Sequence, residues 1–378
     1  MNILSLFNGI SGLHLSCERA GIEVGTCYYS EIDKFANKVT EHHYPNDIAL
    51  GDVTKWREWN IDWSSIDLVG AGFPCQSWSL AGQQLGDKDE RGMLFWTTLE
   101  IIKHVLYFNP SAKFLMENVK MKKEFEEYIT HHTTQALGYV EKTLINSALV
   151  SAQNRNRYYW TNFEVTQPSD KGVLLKDILE DIDGDRPCNR VKDGNQGHIA
   201  TATDIKGMDC IKRVYGTDGK APTLTTMGGG HREPKVYMGG AIRGRYNADG
   251  STSQKLECNG KEKTNSLTTV QKDNVVVLKN ESATKDNKSY SLTASYGGAV
   301  AWNSCQKKQR TMIPVAESID ENPNQYNGIL YRKLTPIECE RLQTLPDNWT
   351  DCISNTQRYK SIGNGWTIDV IAHILKGL

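Results

Sequence analysis

Cys75 lies in the stretch Gly70-Ala71-Gly72-Phe73-Pro74-Cys75-Gln76-Ser77-Trp78-Ser79, directly after an apolar run at 66–69 that reads as a strand. The preceding proline stiffens a loop at a strand's carboxyl end, where α/β sheets gather their reactive groups. As a thiolate this cysteine is a nucleophile; the alternative is a buried, inert thiol, a common fate of free cysteine. Glu117 closes a second strand-like run at 113–119 and projects at the same sheet edge as Cys75. Phe114, Leu115 and Met116 before it, with Asn118 and Val119 after it, predict surroundings apolar enough to raise a carboxyl pKa. A simple surface charge is the other reading. Arg155 and Arg157 stand two residues apart before the aromatic run Tyr158-Tyr159-Trp160. In an extended segment they share one face, which suits a clamp on phosphate or carboxylate, or else a solvated edge strand.

A second constellation concerns a cofactor. Ile3-Leu4-Ser5-Leu6-Phe7 reads as a strand, Asn8-Gly9-Ile10-Ser11-Gly12 as a turn, and 13–20 as a helix ended by Gly21. Glycines allow close backbone approach and a helix N-terminus offers free N–H groups, so this unit can cradle a nucleotide. Tight strand-to-helix turns also carry glycine for steric reasons alone. The strand at 24–30 closes on Glu31-Ile32-Asp33, placing an acid about 20 positions past the glycines, where such folds bind a ribose hydroxyl pair. Gly51-Asp52-Val53 supplies another acid, suited to an adenine edge. Either acid alone reads as a helix N-cap; together they favour a nucleoside-bearing cofactor.

These residues need elements to hold them. The chain of 378 residues has room for two or three domains, and its 24% charged and 38% hydrophobic content is that of an ordinary globular protein. No apolar run approaches the roughly 18 residues that span a bilayer, and the N-terminus lacks a basic leader region, so neither a membrane nor a signal peptide is expected. Nine cysteines without a CxxC pair argue against a disulfide framework and a zinc site, and for a reducing cytoplasm. Strands alternate with helices up to about residue 180, predicting a parallel α/β sheet. From 186 to 328 the chain is rich in Gly, Thr, Asn and Lys with short β-like runs, which reads as a small β-rich domain. Between Arg186 and Arg310 there are 21 Lys and Arg against 11 Asp and Glu, a net +10, and the remainder of the chain carries −11. A basic insert on an acidic body is the footprint of a polyanion-binding region, or a lysine-rich solvated face. Thr335, Pro336 and Glu338 form a capping-box helix start. The glycine-flanked turn at 359–366 and the amphipathic helix at 367–375 suggest that the C-terminus folds back onto the first domain.

Taken in order, Phe7-Asn8-Gly9-Ile10-Ser11-Gly12, Pro74-Cys75-Gln76, Glu117-Asn118-Val119, Gln153-Asn154-Arg155-Asn156-Arg157, Arg332-Lys333-Leu334-Thr335-Pro336 with Glu338, and Gly363-Asn364 resemble the motifs of the DNA (cytosine-5)-methyltransferases of bacteria and phages. The basic insert lies between the fourth and fifth of these, where that family carries its target recognition domain. The resemblance implies an α/β fold: a Rossmann-like S-adenosylmethionine-dependent methyltransferase sheet with a smaller, β-rich recognition domain. Its expected bounds are 1–168, with 350–378 folding back, for the catalytic domain and 169–349 for the recognition domain. It implies that Cys75 attacks carbon 6 of a flipped cytosine, that Glu117 hydrogen-bonds ring nitrogen 3 and the exocyclic amine, that Arg157 holds the base carbonyl or the Cys75 loop, and that Arg155 supports Glu117 or a phosphate.

By the same resemblance S-adenosylmethionine, leaving as S-adenosylhomocysteine, is held by Phe7, Gly9, Ile10, Gly12, Glu31, Ile32, Asp52, Val53, Phe73, Pro74, Asn364 and Trp366, with no metal. Double-stranded DNA is the implied partner, met by Gln76, Ser79, Arg232, Arg243 and Arg245. A restriction endonuclease of the same system, or a stand-alone phage protector, are both compatible with the motifs; the enzyme is expected to be monomeric and cytoplasmic. A tRNA-directed branch of the family is the nearest rival, disfavoured by the long basic insert. Ser11 stands where the family usually has glycine, and serine fits there if the backbone keeps φ below zero. Trp366 replaces a commoner valine and is expected to pack on the cofactor or on the sheet.

Overall fold

A computed structural model describes residues 1–74, 93–180, 186–190, 198–202, 205–216, 219–224, 235–246, 252–259 and 329–378. The chain divides into two compact units, the first comprising Met1–Ile178, Lys220–Glu233 and Thr335–Leu378, the second Leu179–Gly219 and Pro234–Leu334. The first is built on a seven-stranded sheet. Its strands are β1 (Ile3–Leu6), β2 (Cys27–Ser30), β3 (Ile48–Ala49), β4 (Leu68–Ala71), β5 (Lys113–Val119), β6 (Glu141–Asn146) and β7 (Asn156–Thr161). They run in the order β3-β2-β1-β4-β5-β7-β6. β1 and β4 are buried throughout, as befits central strands covered on both faces. The first five strands are parallel, but β7 pairs antiparallel with both β5 and β6. The expected all-parallel sheet is therefore a mostly parallel one. The arginine-bearing strand is not an edge strand, because β6 covers its outer side.

Helices α1 (Gly12–Ala20), α2 (Lys34–His43), α3 (Met93–Phe108) and α4 (Lys123–Leu137) connect these strands, followed by the single turn α5 (Leu175–Ile178). Two apolar clusters fill the unit. One packs Phe95, Ile102 and Val105 of α3 against Leu4, Val69, Phe114 and Trp160. The other packs Leu13 and Cys17 of α1 with Ile3, Leu68 and Leu115 and with Val370, Ile371 and Ile374 from the end of the chain.

In the second unit β8 (Arg186–Arg190), β9 (His198–Ala202), β10 (Arg213–Tyr215), β11 (Lys235–Tyr246), β12 (Thr252–Asn259) and β13 (Ile329–Lys333) form a second sheet, ordered β10-β9-β8-β13-β11-β12, with the one-turn α6 (Asp209–Lys212) directly before β10. β10 also pairs with β11, so five strands close into a circuit with β12 added outside β11. Among the described residues this closure leaves few free sheet edges.

The chain returns to the first unit at Thr335, followed by α7 (Pro336–Leu342), α8 (Asn355–Asn364) and α9 (Ile368–Leu375). The capping box forms as the residue types dictate: Glu338 N–H donates to Thr335 Oγ1 at 3.2 Å and Thr335 N–H donates to Glu338 Oε2 at 2.8 Å. These unit bounds differ from 168/169 and 349/350, and the cause is hydrogen bonding. Gln153 Nε2 donates to Leu342 O, Gln343 Nε2 donates to Ile362 O, and Ala221 N–H donates to Ala152 O, which ties 220–224 and 335–349 to the first unit. Among the described residues no helix is long and apolar enough to cross a membrane.

Gly70 shows how closely α1 meets the sheet: a Cβ there would lie 2.8 Å from Leu13 Cδ2 and 2.9 Å from Leu13 Cδ1. Leu13 is only 1% exposed and has little room to retreat. Gly70→Ala is expected to destabilise the protein by about 1–3 kcal/mol through overpacking, read as a lower midpoint in denaturant unfolding. An unchanged midpoint would refute the close approach.

Candidate active site

The turn after β1 is built from left-handed backbone. Phe7, Gly9 and Ser11 have φ of 55°, 57° and 65°. Ser11 therefore does not keep φ below zero; the turn reverses too tightly for a right-handed residue there. A buried hydroxyl cluster holds it, with Ser11 Oγ donating to Thr40 Oγ1 at 2.8 Å and Asn8 Nδ2 donating to Thr40 Oγ1 at 3.0 Å. Two further contacts brace the turn. Gly9 N–H donates to Glu31 Oε2 at 2.9 Å, and Trp349 Nε1 donates to Ile10 O at 3.0 Å while His43 stacks on the Trp349 indole at 3.6 Å. Gly12 lies under Ile368 and Trp366.

Glu31 closes β2 and receives two more donors on Oε1, the N–H groups of Ile32 and Asp33, each at 2.8 Å. Ile32 beside it is 78% exposed. Asp52 caps the short helical turn that starts at the buried Val53, its Oδ1 accepting from Thr54 N–H at 2.9 Å and Thr54 Oγ1 at 2.8 Å. Those donors hold its carboxyl below the usual carboxylate range. An ideal Cβ on Gly9 would meet nothing within 4 Å, so the turn faces open space that a ligand can occupy. Backbone of this kind, an open face and two acids at strand ends fit a nucleoside-bearing cofactor.

Further along the sheet, β5 presents Glu117, whose Oε1 lies 2.9 Å from Arg157 Nε on β7. The antiparallel register pairs Val119 with Arg157 and Glu117 with Tyr159, which brings the guanidinium alongside the carboxylate. Both side chains are about nine-tenths buried, at 10% and 11% exposure. The carboxyl thus has a cationic partner in addition to the apolar neighbours expected of it. Arg157 is further fixed by donating from Nη1 to Asn156 O at 2.9 Å.

The neighbouring Asn118, on the opposite face of the strand, was not singled out by its residue type. Its Nδ2 donates to Phe73 O at 3.2 Å and its Oδ1 accepts from Val119 N–H at 2.8 Å. This anchors the chain leaving β4 two residues before Cys75, with the buried Phe73 ring 5.5 Å from Phe95. A polar residue in an otherwise buried strand was the available signal.

Arg155 has a different role from Arg157. It is 3% exposed and donates to Leu224 O, Gly363 O and Gly365 O at 3.3, 3.4 and 3.0 Å. At that burial the guanidinium braces backbone turns and does not face a phosphate, so the two arginines do not form one clamp. Gln343 joins it on Gly365 O, and Thr367 Oγ1 donates to Gln343 Oε1 at 2.8 Å. The network fixes the turn carrying the exposed Asn364 and the half-buried Trp366. Trp366 packs on the sheet: its Nε1 would sit 2.8 Å from a Cβ at Gly72, and the indole joins the cluster around Leu13 and Ile371.

Pro74 is the last described residue before 75–92, so Cys75, Gln76 and Ser79 lie outside the described residues, as does Arg232. Arg243 and Arg245 lie on β11, in register with Lys255 and Ser253 of β12.

Comparison with known proteins adds to this geometry. The model of the C-5 cytosine-specific DNA methylases matches residues 1–378. The chain is 27% identical to the orphan methyltransferase M.SPBetaI of Bacillus phage SPbeta, over 100% of this chain and 97% of that protein. It is 34% identical to the type II methyltransferase M.NlaX of Neisseria lactamica over 47% of this chain and 59% of that one. Among solved structures, an Entamoeba histolytica methyltransferase has a TM-score of 0.55 at 14% identity, covering 100% of this chain and 97% of that one. A Spodoptera frugiperda DNMT2 mutant has 0.52 at 17%, covering 100% and 98%. At those identities the likeness is one of fold.

The left-handed Ser11 is testable by a pair of variants. Ser11→Ala and Ser11→Gly lose the same hydroxyl, but alanine keeps a Cβ in a conformation costing about 1–2 kcal/mol, while glycine escapes it and gives back about 0.4–1 kcal/mol as unfolded-chain entropy. Ser11→Ala is expected to be less stable than Ser11→Gly by roughly 0.5–1 kcal/mol in denaturant unfolding. Equal stabilities, or the reverse order, would contradict a left-handed residue at this position.

Proposed function

The chain belongs to the C-5 cytosine-specific DNA methylase family, and on that premise we propose that it turns a target cytosine out of duplex DNA and methylates carbon 5 by covalent catalysis through Cys75. The observation that carries the reading is the ion pair of Glu117 with Arg157 near the carboxyl end of β5, beside the Asn118-anchored segment that leads to Cys75. Carbon 5 of cytosine is a weak nucleophile. Addition of the Cys75 thiolate to carbon 6 makes the ring enamine-like and places nucleophilic character on carbon 5. Glu117 faces ring nitrogen 3 and the exocyclic amine, where charge develops, and Arg157 fixes that carboxyl and reaches the base carbonyl. After methyl transfer the carbon 5 proton leaves to base and the sulfur–carbon 6 bond breaks, which returns the thiolate.

When bound, S-adenosylmethionine supplies the methyl group as an activated sulfonium. Phe7, Gly9, Ile10 and Gly12 offer it the turn, Glu31 the ribose contact, and Ile32 an apolar surface otherwise left to solvent. Asp52 and Val53 stand at the adenine end, Phe73 and Pro74 flank the path to the base, and Asn364 closes the far side. Arg155 and Trp366 act as positioning residues, through the backbone they brace. A base inside a duplex is unreachable, so flipping is required; Gln76 and Ser79 then fill the vacated stack or hold phosphate. The basic stretch between Arg186 and Arg310, including Arg232, Arg243 and Arg245, supplies phosphate affinity and groove readout.

The direct test is methyl transfer from labelled S-adenosylmethionine to unmethylated genomic duplex DNA and, in parallel, to tRNA, with the product nucleoside identified by mass. The expected product is 5-methylcytosine in DNA alone; labelling of tRNA alone would overturn the reading. In the same assay Glu117→Gln is expected to lower kcat by about 10²–10⁴ and to leave the cofactor Kd nearly unchanged. An undiminished kcat would remove Glu117 from the chemistry.

A further inference from the structure

Three ligand-type side chains that take no part in the site above converge between α1, β2 and the residues before β3. One ligand atom each from His14, Cys27 and Asp47 lies within 4.8 Å of the others. His14 Nδ1 is 3.0 Å from Asp47 Oδ2, with the two side chains 13% and 6% exposed, and Cys27 is 3% exposed. The opposite edge of the imidazole is also organised. Its Nε2 points to Glu18 Oε1 at 3.8 Å, while Tyr44 stacks on the ring at 3.8 Å and donates its hydroxyl to Glu18 Oε2 at 2.9 Å.

One ring nitrogen thus faces a thiol and a carboxylate while the other faces a second carboxylate. A carboxylate behind a histidine is how proteins fix the tautomer and orientation of a metal-bound imidazole. We propose that His14, Cys27 and Asp47 bind a divalent cation of the zinc class, with water in the fourth position. A thiolate and a carboxylate together cancel the double positive charge and the imidazole binds neutral, so the filled site carries no net charge, as its burial requires. Entry of the ion displaces the Cys27 thiol proton to solvent. α1 starts in the cofactor turn and β2 (Cys27–Ser30) leads directly into Glu31, so the ion fastens the two elements that carry the proposed cofactor contacts. Sequence spacing concealed the site because its three ligands come from three elements and form no CxxC-type pair.

Cobalt(II) is the probe, because a tetrahedral thiolate–cobalt site absorbs in the near ultraviolet by charge transfer and in the visible by ligand-field transitions. The full-length reduced protein, titrated with CoCl₂ alone, is expected to develop both absorptions at one equivalent and to lose them on addition of ZnCl₂. Cys27→Ser should abolish the charge-transfer absorption, and Asp47→Asn, which keeps side-chain volume, should weaken cobalt binding tenfold or more. Cys352→Ser should leave both unchanged, and far-UV circular dichroism reports whether each variant is folded. Asp47→Asn keeps the test decisive should Cys27→Ser fail to fold. No stoichiometric binding by the native chain, undiminished absorption in folded Cys27→Ser, or unaltered affinity in Asp47→Asn would overturn the proposal.

Discussion

The pairing of Glu117 with Arg157 is the interaction on which the rest of the site depends. Two opposite charges, each about nine-tenths buried, stand 2.9 Å apart near the carboxyl end of β5. Removing one partner of such a pair leaves the other desolvated and uncompensated, at a cost of about 3–5 kcal/mol. The antiparallel register of β5 and β7 is what brings them together. In a wholly parallel sheet the residue after Asn156 would point along a different edge. The reversal at β7 is thus what forms this pair, and β6 shields its outer side. Asn118, one residue on and facing the other way, couples the same strand to the backbone at Phe73. A single strand therefore positions the carboxylate and steadies the approach to the proposed nucleophile.

The turn after β1 solves a different problem, that of holding strained backbone open to a ligand. Left-handed residues persist only where surrounding structure over-determines them, at about 1–3 kcal/mol each. Here the over-determination is visible atom by atom. Glu31 takes the Gly9 N–H, Thr40 takes the Ser11 hydroxyl, and Trp349 donates to Ile10 O. Two of these partners come from the second strand and its helix, and the third from the polypeptide's return near its end. The buried network of Arg155, Gln343 and Thr367 does the same for the turn at 363–367. Both turns are supported from distant parts of the chain, which is why the return at Thr335 belongs structurally to the first unit.

What could be read in the sequence was what local chemistry decides. The capping box at Thr335 and Glu338 depends on four consecutive residues and forms as expected. The strand carrying Glu117 and the glycine-rich turn were visible in short apolar runs and their punctuation. The residues that escaped depend on partners far away in sequence. Arg155 and Arg157 are equivalent in type and spacing, yet one braces carbonyls near residue 364 and the other holds Glu117. Ser11 looked compatible with an ordinary φ because its buried partner, Thr40, lies a helix away. His14, Cys27 and Asp47 show no pattern at all until the fold brings them together.

The most direct measurement of the central claim is covalent trapping on duplex DNA containing 5-fluorocytosine, with S-adenosylmethionine present. Fluorine at carbon 5 blocks the final elimination, so a sulfur–carbon 6 adduct persists. Native protein should give a denaturation-resistant protein–DNA complex whose cross-linked peptide contains Cys75, and Cys75→Ala should give none. Because an arbitrary duplex can lack the recognition sequence, fluorocytosine-substituted genomic DNA is the substrate of choice. An adduct that survives Cys75→Ala, or methylation of genomic DNA by native protein with no adduct on its fluorinated counterpart, would contradict the account.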